Sequence, residues 1–514
     1  MHSSLSYLRD RYDAFSRTPF GCLLRLFVGR MFHGGGESDT DQLGLGVGAL
    51  LILLAMPGLL VSLLMFEKYG SLIRWLRGGG PYDPFAATAN DEYFFIVLAA
   101  TVTGAAALWQ WDSVFLDRRD HANLVALPVS LRTIFLANFC AMLVLASLFA
   151  IVVNAASFVL FPVAVVGSQG SFAVFFRFAA GHAAAVFFAS IFSFFAVFAL
   201  AGLLMAFLPA AAFRRVSLLA RFLVAVCLLA LLASVFTVPD FLAHASIATA
   251  RRISALPPVS ILGLARIVWV SGKDPFAAGV AKAALTAFAA TALTAVLTYV
   301  LSFRRHFRRI PEMADAGLLP RMRLSISPFA PIHKFTLREP ALRSCYYFIT
   351  RTLFRSDAHL QVVSAFAAVG LVTTAEAITS IRADQFFWAH HSPSADFLSI
   401  PFILSYCFIV GVRCAFEIPA NLDANWVFRL WLPRDDRHAR SVARQVLLTF
   451  SLSWIVPACF GVTWIYFGWR NAMLHTTILI AASALLAEVL LVRFRKIPFT
   501  CSYPAFQSNS GLIL

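Results

Sequence analysis

The residues able to do chemistry stand out in this chain because so few ionisable groups interrupt its apolar runs. Asp91 and Glu92 lie side by side in TANDEYFF. Such a pair can act as a base or hold a metal ion, and it is also an ordinary way for a membrane span to end. His182 and Asn154 fall inside long apolar stretches, where they can line a path, though hydrogen bonding between helices is the commoner use. Glu376 and Glu488 would be costly inside lipid and could serve proton or substrate binding. Each stands near a span end and an arginine, Arg382 and Arg493 respectively, so the expectation for both is snorkelling to a salt bridge. His390 and His391 in FFWAHHSPSADF lack nearby cysteines or clustered carboxylates and read as an exposed loop, not a metal site.

The densest charge is in WDSVFLDRRDHANLVALPVSLRTIF, residues 111 to 135, where Asp112, Asp117, Arg118, Arg119 and Asp120 precede a Leu-Pro-Val-Ser step. Asp117 can cap a short helix over residues 118 to 126 by accepting a free backbone N–H. Pro128 disfavours helical geometry at Leu127 and ends it. Ser130 can cap the next helix, which carries Arg132 at headgroup level. The expected product is a short charged helix held between two spans, able to pass a push from a partner to both.

The elements that must position these residues are membrane helices. The 514 residues are 60% hydrophobic and only 13% charged, with 51 Phe and a mean hydropathy of +0.78. A water-exposed surface cannot be built from that composition. The apolar blocks are long enough to cross the hydrocarbon layer, and the alternation of a β-barrel is missing. The predicted fold class is therefore an all-α integral membrane protein, a polytopic helical bundle of about ten transmembrane helices. The spans fall at 44–66, 93–111, 134–164, 174–208, 217–237, 279–302, 360–380, 397–412, 445–467 and 473–492.

Lys and Arg set the orientation, because cytoplasmic loops retain positive charge. With both termini cytoplasmic, the inner segments hold 31 of the 42 Lys and Arg residues. The charged loop at 112–133 is then an inner loop. The net charge of +16 is explained by anionic inner-leaflet lipids, and no basic-aromatic motif for nucleic acid is present. Residues 1–43 lack the apolar core of a cleavable signal. Instead Phe20, Leu23, Leu24, Phe27 and Met31 share one helical face, as in a helix lying in the interface, with Gly34, Gly35 and Gly36 ending it. Eight scattered cysteines without a C-x-x-C pair form neither a disulfide framework nor a metal knuckle, and read as small apolar fillers.

The expected organisation is an amphipathic N-terminal segment (1–43), a six-span domain (44–302), a basic linker (303–359), a four-span domain (360–492) and a cytoplasmic tail (493–514). The loop NLDANWVFRLWLPRDDRHARSVARQ resembles 111–135 in kind, a hint of duplicated architecture without a fixed repeat. PPVSILGLARIV, within 256–276, is apolar but too short to cross a membrane.

The stretch NLVALPVSLRTIFLANF, residues 123 to 139, resembles the first inner loop of the type 2 class of ABC permeases, the membrane subunits of ABC exporters. Members show a Leu-x-x-Leu-Pro-Val-Ser step, a basic residue and a hydrophobic span entry. The resemblance covers residues 1 to 303 in layout and about twenty residues in motif. It implies that Asp117, Arg118, Arg119, Asp120, Leu127, Pro128, Ser130 and Arg132 belong to a coupling element docking on a separate nucleotide-binding subunit, with the chain in the inner, cytoplasmic membrane of the cell. The family often has Lys where Asn138 stands, and six spans are usual, so the last four spans depart from its pattern.

This chain has no G-x-x-x-x-G-K-[ST] loop, so ATP would be bound and hydrolysed on the partner and no cofactor is expected here. Other expected partners are membrane lipids and a second permease copy or sister chain, with an apolar or amphipathic cargo. One alternative is a membrane glycosyltransferase-like enzyme using Asp91 and Glu92, since lipid-linked glycosyltransferases place an acidic pair in an outer loop. Neither H-E-x-x-H nor G-x-S-x-G occurs. Another is a secondary transporter, against which the sequence sets its few intramembrane charges.

Overall fold

The computed structural model describes residues 17–33, 40–76, 84–111, 123–124, 126–167, 171–239, 247–254, 256–269, 275–309, 339–380, 395–418, 436–492, 494 and 497–499. Among these the chain is all-α. Its helices are α1 (Pro19–His33), α2 (Thr40–Leu76), α3 (Ala89–Trp109), α4 (Leu131–Val166), α5 (Phe172–Phe207), α6 (Ala210–Ala233), α7 (Ile247–Ser254), α8 (Pro257–Trp269), α9 (Pro275–Arg309), α10 (Pro340–Arg355), α11 (Asp357–Ser380), α12 (Ala395–Ala415) and α13 (Asp436–Leu491). Among the described residues nine helices contain a stretch long and apolar enough to cross a membrane. This is a multi-pass membrane protein by its helices.

The ninth of them, α13, is 56 residues long and not straight. At Gly468 the backbone leaves helical geometry (φ 81°, ψ 163°). Beyond it the chain returns, so that Cys459 Sγ lies 3.5 Å from His475 Nδ1, sixteen residues on. A straight helix would separate them by about 24 Å. The hairpin thus supplies the two spans expected at 445–467 and 473–492.

The chain divides into two compact units, one comprising Met1–Ser217 and Ala230–Leu318, the other Leu218–Leu229 and Leu319–Leu514. In the first, α2 and α1 pack on α4, α3 and α9 pack on α5, and α8 lies against α5 and α9. The amphipathic reading of α1 corresponds to burial of Leu23 and Phe27, with Leu26 outward. Outward Ile52, Leu53, Leu60 and Leu64 on α2 leave an apolar surface suited to lipid. The short apolar stretch PPVSILGLARIV lies in α8, thirteen residues with Ile261, Ala265 and Trp269 buried.

In the second unit the core joins α10 to α11, α12 and α13. Within the segment read as a basic linker, 303–359, residues Pro340–Arg355 form α10. Leu342, Cys345, Tyr346, Ile349 and Leu353 recur at three- and four-residue spacing and bury one face of α10 in this core. Arg343, Arg351 and Arg355 interrupt that stripe in the linear sequence. Residues 310–338 lie outside the described residues.

Candidate functional site

One end of the first unit collects ionisable side chains from three long helices. It is the end to which the positive-inside pattern assigns the outer face. Asp91 and Glu92 sit in the first turn of α3, where the unpaired N–H groups and the helix dipole favour carboxylates. They turn to different partners. Asp91 accepts from Lys68 Nζ at 2.7 and 2.6 Å through its two oxygens, and Tyr69 Oη also donates to Oδ2. Glu92 Oε2 stands 2.8 Å from Nδ1 of His182, on α5. The side chains of Glu92 and His182 are both fully buried, whereas Lys68 is about half exposed.

Aromatic rings enclose the second pair. Phe95, one turn after Glu92, and Phe161 of α4 meet the His182 ring edge-on at centroid distances of 5.4 and 5.0 Å. Phe178, one turn before His182, stacks on Trp269 at the end of α8, with centroids 5.0 Å apart and planes 8° from parallel. The indole Nε1 donates to the Phe178 carbonyl at 3.3 Å. Gly181 is what lets α8 come this close, because a Cβ there would overlap the Trp269 indole. Low-dielectric walls strengthen the Glu92–His182 interaction and make any unmatched charge expensive. Glu92 Oε1 and His182 Nε2 have no hydrogen-bond partner among the described residues.

The sequence reading flagged Asp91, Glu92 and His182 without joining them, and it missed Lys68 and Tyr69 because it ended the first span at residue 66. Helix α2 runs on to Leu76. The structure brings Lys68, Asp91, Glu92 and His182 together at one end of the first unit. Asp91 and Glu92 are both buried, and each is paired within the bundle.

At the other end of the bundle, Ser130 caps α4 as expected, its Oγ accepting from Thr133 N at 3.2 Å. Leu127 and Pro128 are exposed, as is Arg132 in the first turn of α4, while Leu124 is buried. Asp117, Arg118, Arg119 and Asp120, and the helix expected over 118–126 apart from a few C-terminal positions, lie outside the described residues, as do His390 and His391.

Asn154 does bridge helices, donating to Ser190 Oγ at 2.9 Å as well as to Ala150 O. It borders an apolar groove of about 510 Å³ between α4 and α5, lined also by Ile151, Phe158, Ala183, Ala184 and Phe187. Asn138 donates to Tyr299 Oη at 2.7 Å. Glu488 pairs with Arg444 at 2.6 Å; Arg493, its expected neighbour, lies outside the described residues. The hairpin at Gly468 brings α13 back alongside itself, which sequence distance does not reveal. Glu376 is exposed, and Arg382, its expected neighbour, lies outside the described residues.

Among the described residues no disulfide joins Cys22, Cys140, Cys227, Cys345, Cys407, Cys414 and Cys459. Among the described residues no group of three His, Cys, Asp or Glu side chains converges as a metal site would. No protein-family model, curated protein or solved structure matches the chain. The class that fold and site define is a polytopic helical membrane protein with a buried polar site at one end of its first unit.

Proposed function

We propose that this chain is the permease subunit of an ATP-driven exporter in the inner membrane, driven through its inner loop at 112–133 by a separate ATPase. The observation that carries the reading is the course of α4. It begins at the Ser130 cap, just after the exposed Leu127–Pro128 step, and runs unbroken past the α1 contact to Phe161, which covers His182. A displacement at the step is transmitted along about 45 Å of rigid helix to the polar site. Asp117, Arg118, Arg119 and Asp120 form the docking face of the loop, with Leu127, Pro128, Ser130 and Arg132 joining it to α4. The groove between α4 and α5 suits an apolar or amphipathic cargo, and the working unit is a pair of permeases, either two copies or this chain with a sister.

Crosslinked, gently solubilised protein pulled down by a tag should bring with it a P-loop ATPase. Its consistent absence would sink the reading. Charge reversal at Arg118 and Arg119 should leave membrane insertion intact while ATP hydrolysis no longer drives transport.

A further inference from the structure

We propose that Glu92 and His182 form a proton-binding site, and that the proton they hold exchanges with water only when α8 leaves α5. The two side chains touch at 2.8 Å with neither exposed, and one polar atom of each, Glu92 Oε1 and His182 Nε2, is left without a partner among the described residues. Two unsatisfied buried atoms facing no solvent are costly and call for a ligand or a purpose. The space decides which ligand. Phe95 and Phe161 close on the imidazole, and Trp269 lies so tightly over Gly181 that not even a methyl group fits. A proton is the ligand that needs no added space beside these two atoms.

Charge gives the number held. Asp91 is already matched by Lys68 and Tyr69 of α2. On α3 the remaining titratable neighbour, Tyr93, is bonded to Ser234. On α5 Arg177 is exposed and directs a guanidinium nitrogen to the Trp269 carbonyl at 3.5 Å. From α4 comes the Phe161 ring; α8 carries Trp269, stacked on Phe178, and half-buried Arg266, which no hydrogen bond or ion pair joins to Glu92 or His182; Lys282 of α9 is exposed. Glu92 and His182 must therefore balance each other. With one proton between them, whether on the ring or the carboxyl, the pair is neutral in sum. Removing it leaves a lone buried negative charge, and adding another leaves a lone positive one, each opposed by desolvation. The closed site keeps one proton until water enters, and water can enter when the Trp269 contact opens. A conformational cycle that moves α8 then binds and releases a proton, whatever powers the cycle, so this inference does not depend on an ATPase partner.

The test is infrared spectroscopy of the full chain in phosphatidylcholine vesicles, moved from H₂O to D₂O. The expected result is a carboxyl or imidazole band, missing from both Glu92→Gln and His182→Gln, that exchanges at least about tenfold faster in Gly181→Val. If a substituted chain fails to fold, glutamate labelled with ¹³C at its carboxyl and ¹⁵N-histidine in the otherwise unaltered protein assign the band directly. The proposal is overturned if no band belongs to the pair, or if that band exchanges equally fast with and without the Gly181 substitution.

Discussion

Glu92 and His182 lie ninety residues apart in sequence and 2.8 Å apart in the fold, each the other's hydrogen-bond partner in a site that solvent does not reach. Removing one member leaves the other as an uncompensated buried polar group, whereas removing both leaves an apolar space. His182→Leu alone should destabilise the first unit by about 3–5 kcal/mol, and Glu92→Leu by a similar amount. The double replacement should recover most of that loss. A double-mutant cycle on detergent-solubilised protein, read by reversible unfolding, measures the coupling. Additive losses would mean that the two groups do not act as a pair.

Gly181 tests the same site from the other side. A Val side chain there meets the Trp269 indole and the Ala265 carbonyl, both on α8, so relief requires α8 to move. Overpacking of this kind costs about 1–3 kcal/mol. A cysteine placed at Ile261, which is 2% exposed, should resist maleimide in an otherwise native chain and react readily once Gly181→Val is added. Unchanged protection would show that α8 tolerates the extra bulk in place.

These two residues also show how far the sequence can be read. Hydropathy located the spans because burial in lipid acts on every residue of a helix, and Ser130 was visible as a cap because capping is local. A rare ionisable residue in an apolar run was a sufficient signal to single out Glu92 and His182. Their pairing was not legible, since it depends on which faces of α3 and α5 meet, and many registers satisfy the same hydropathy. Lys68 was lost for a different reason: a charged residue looks like the end of a span, yet α2 continues past it because Asp91 and Tyr69 satisfy its neighbourhood. Arg444 was missed as the partner of Glu488 because a single glycine reverses the chain between them.

Cys345 gives the second unit a signature in pH. Burial pushes its thiol from an ordinary 9.0 up to about 11, and desolvation likewise takes the neighbouring Tyr346 hydroxyl up to about 12. A raised acid constant means that the folded state holds the proton more tightly than the unfolded chain. The linked stability is present in full below pH 9 and falls as pH rises through about 11. At about pH 8 maleimide should label exposed Cys22 while Cys345 stays unmodified until the protein is unfolded. Unfolding followed from about pH 8 to 11 should show the Cys345→Ala chain losing less stability across that range than the parent. An identical slope in both would remove the thiol as the cause.

Gly468 is required for a reason opposite to that of Gly181. Nothing lies within 4 Å of a Cβ built there, so space is not limiting, but φ is 81° with ψ 163°, a region that L-residues with side chains rarely enter. Gly468→Ala should therefore destabilise the hairpin by about 1–3 kcal/mol without creating any clash. Gly461, in the same helix and also free of neighbours, has no positive φ. Gly461→Ala should be neutral or stabilise by up to about 1 kcal/mol, since Ala is the better helix former. The hairpin itself can be followed by a crosslink between cysteines placed at Arg444 and Glu488, which meet across it at 2.6 Å. Loss of that crosslink in Gly468→Ala but not in Gly461→Ala would tie the return of the chain to one backbone conformation, whereas equal behaviour of the two substitutions would mean that packing alone turns the helix.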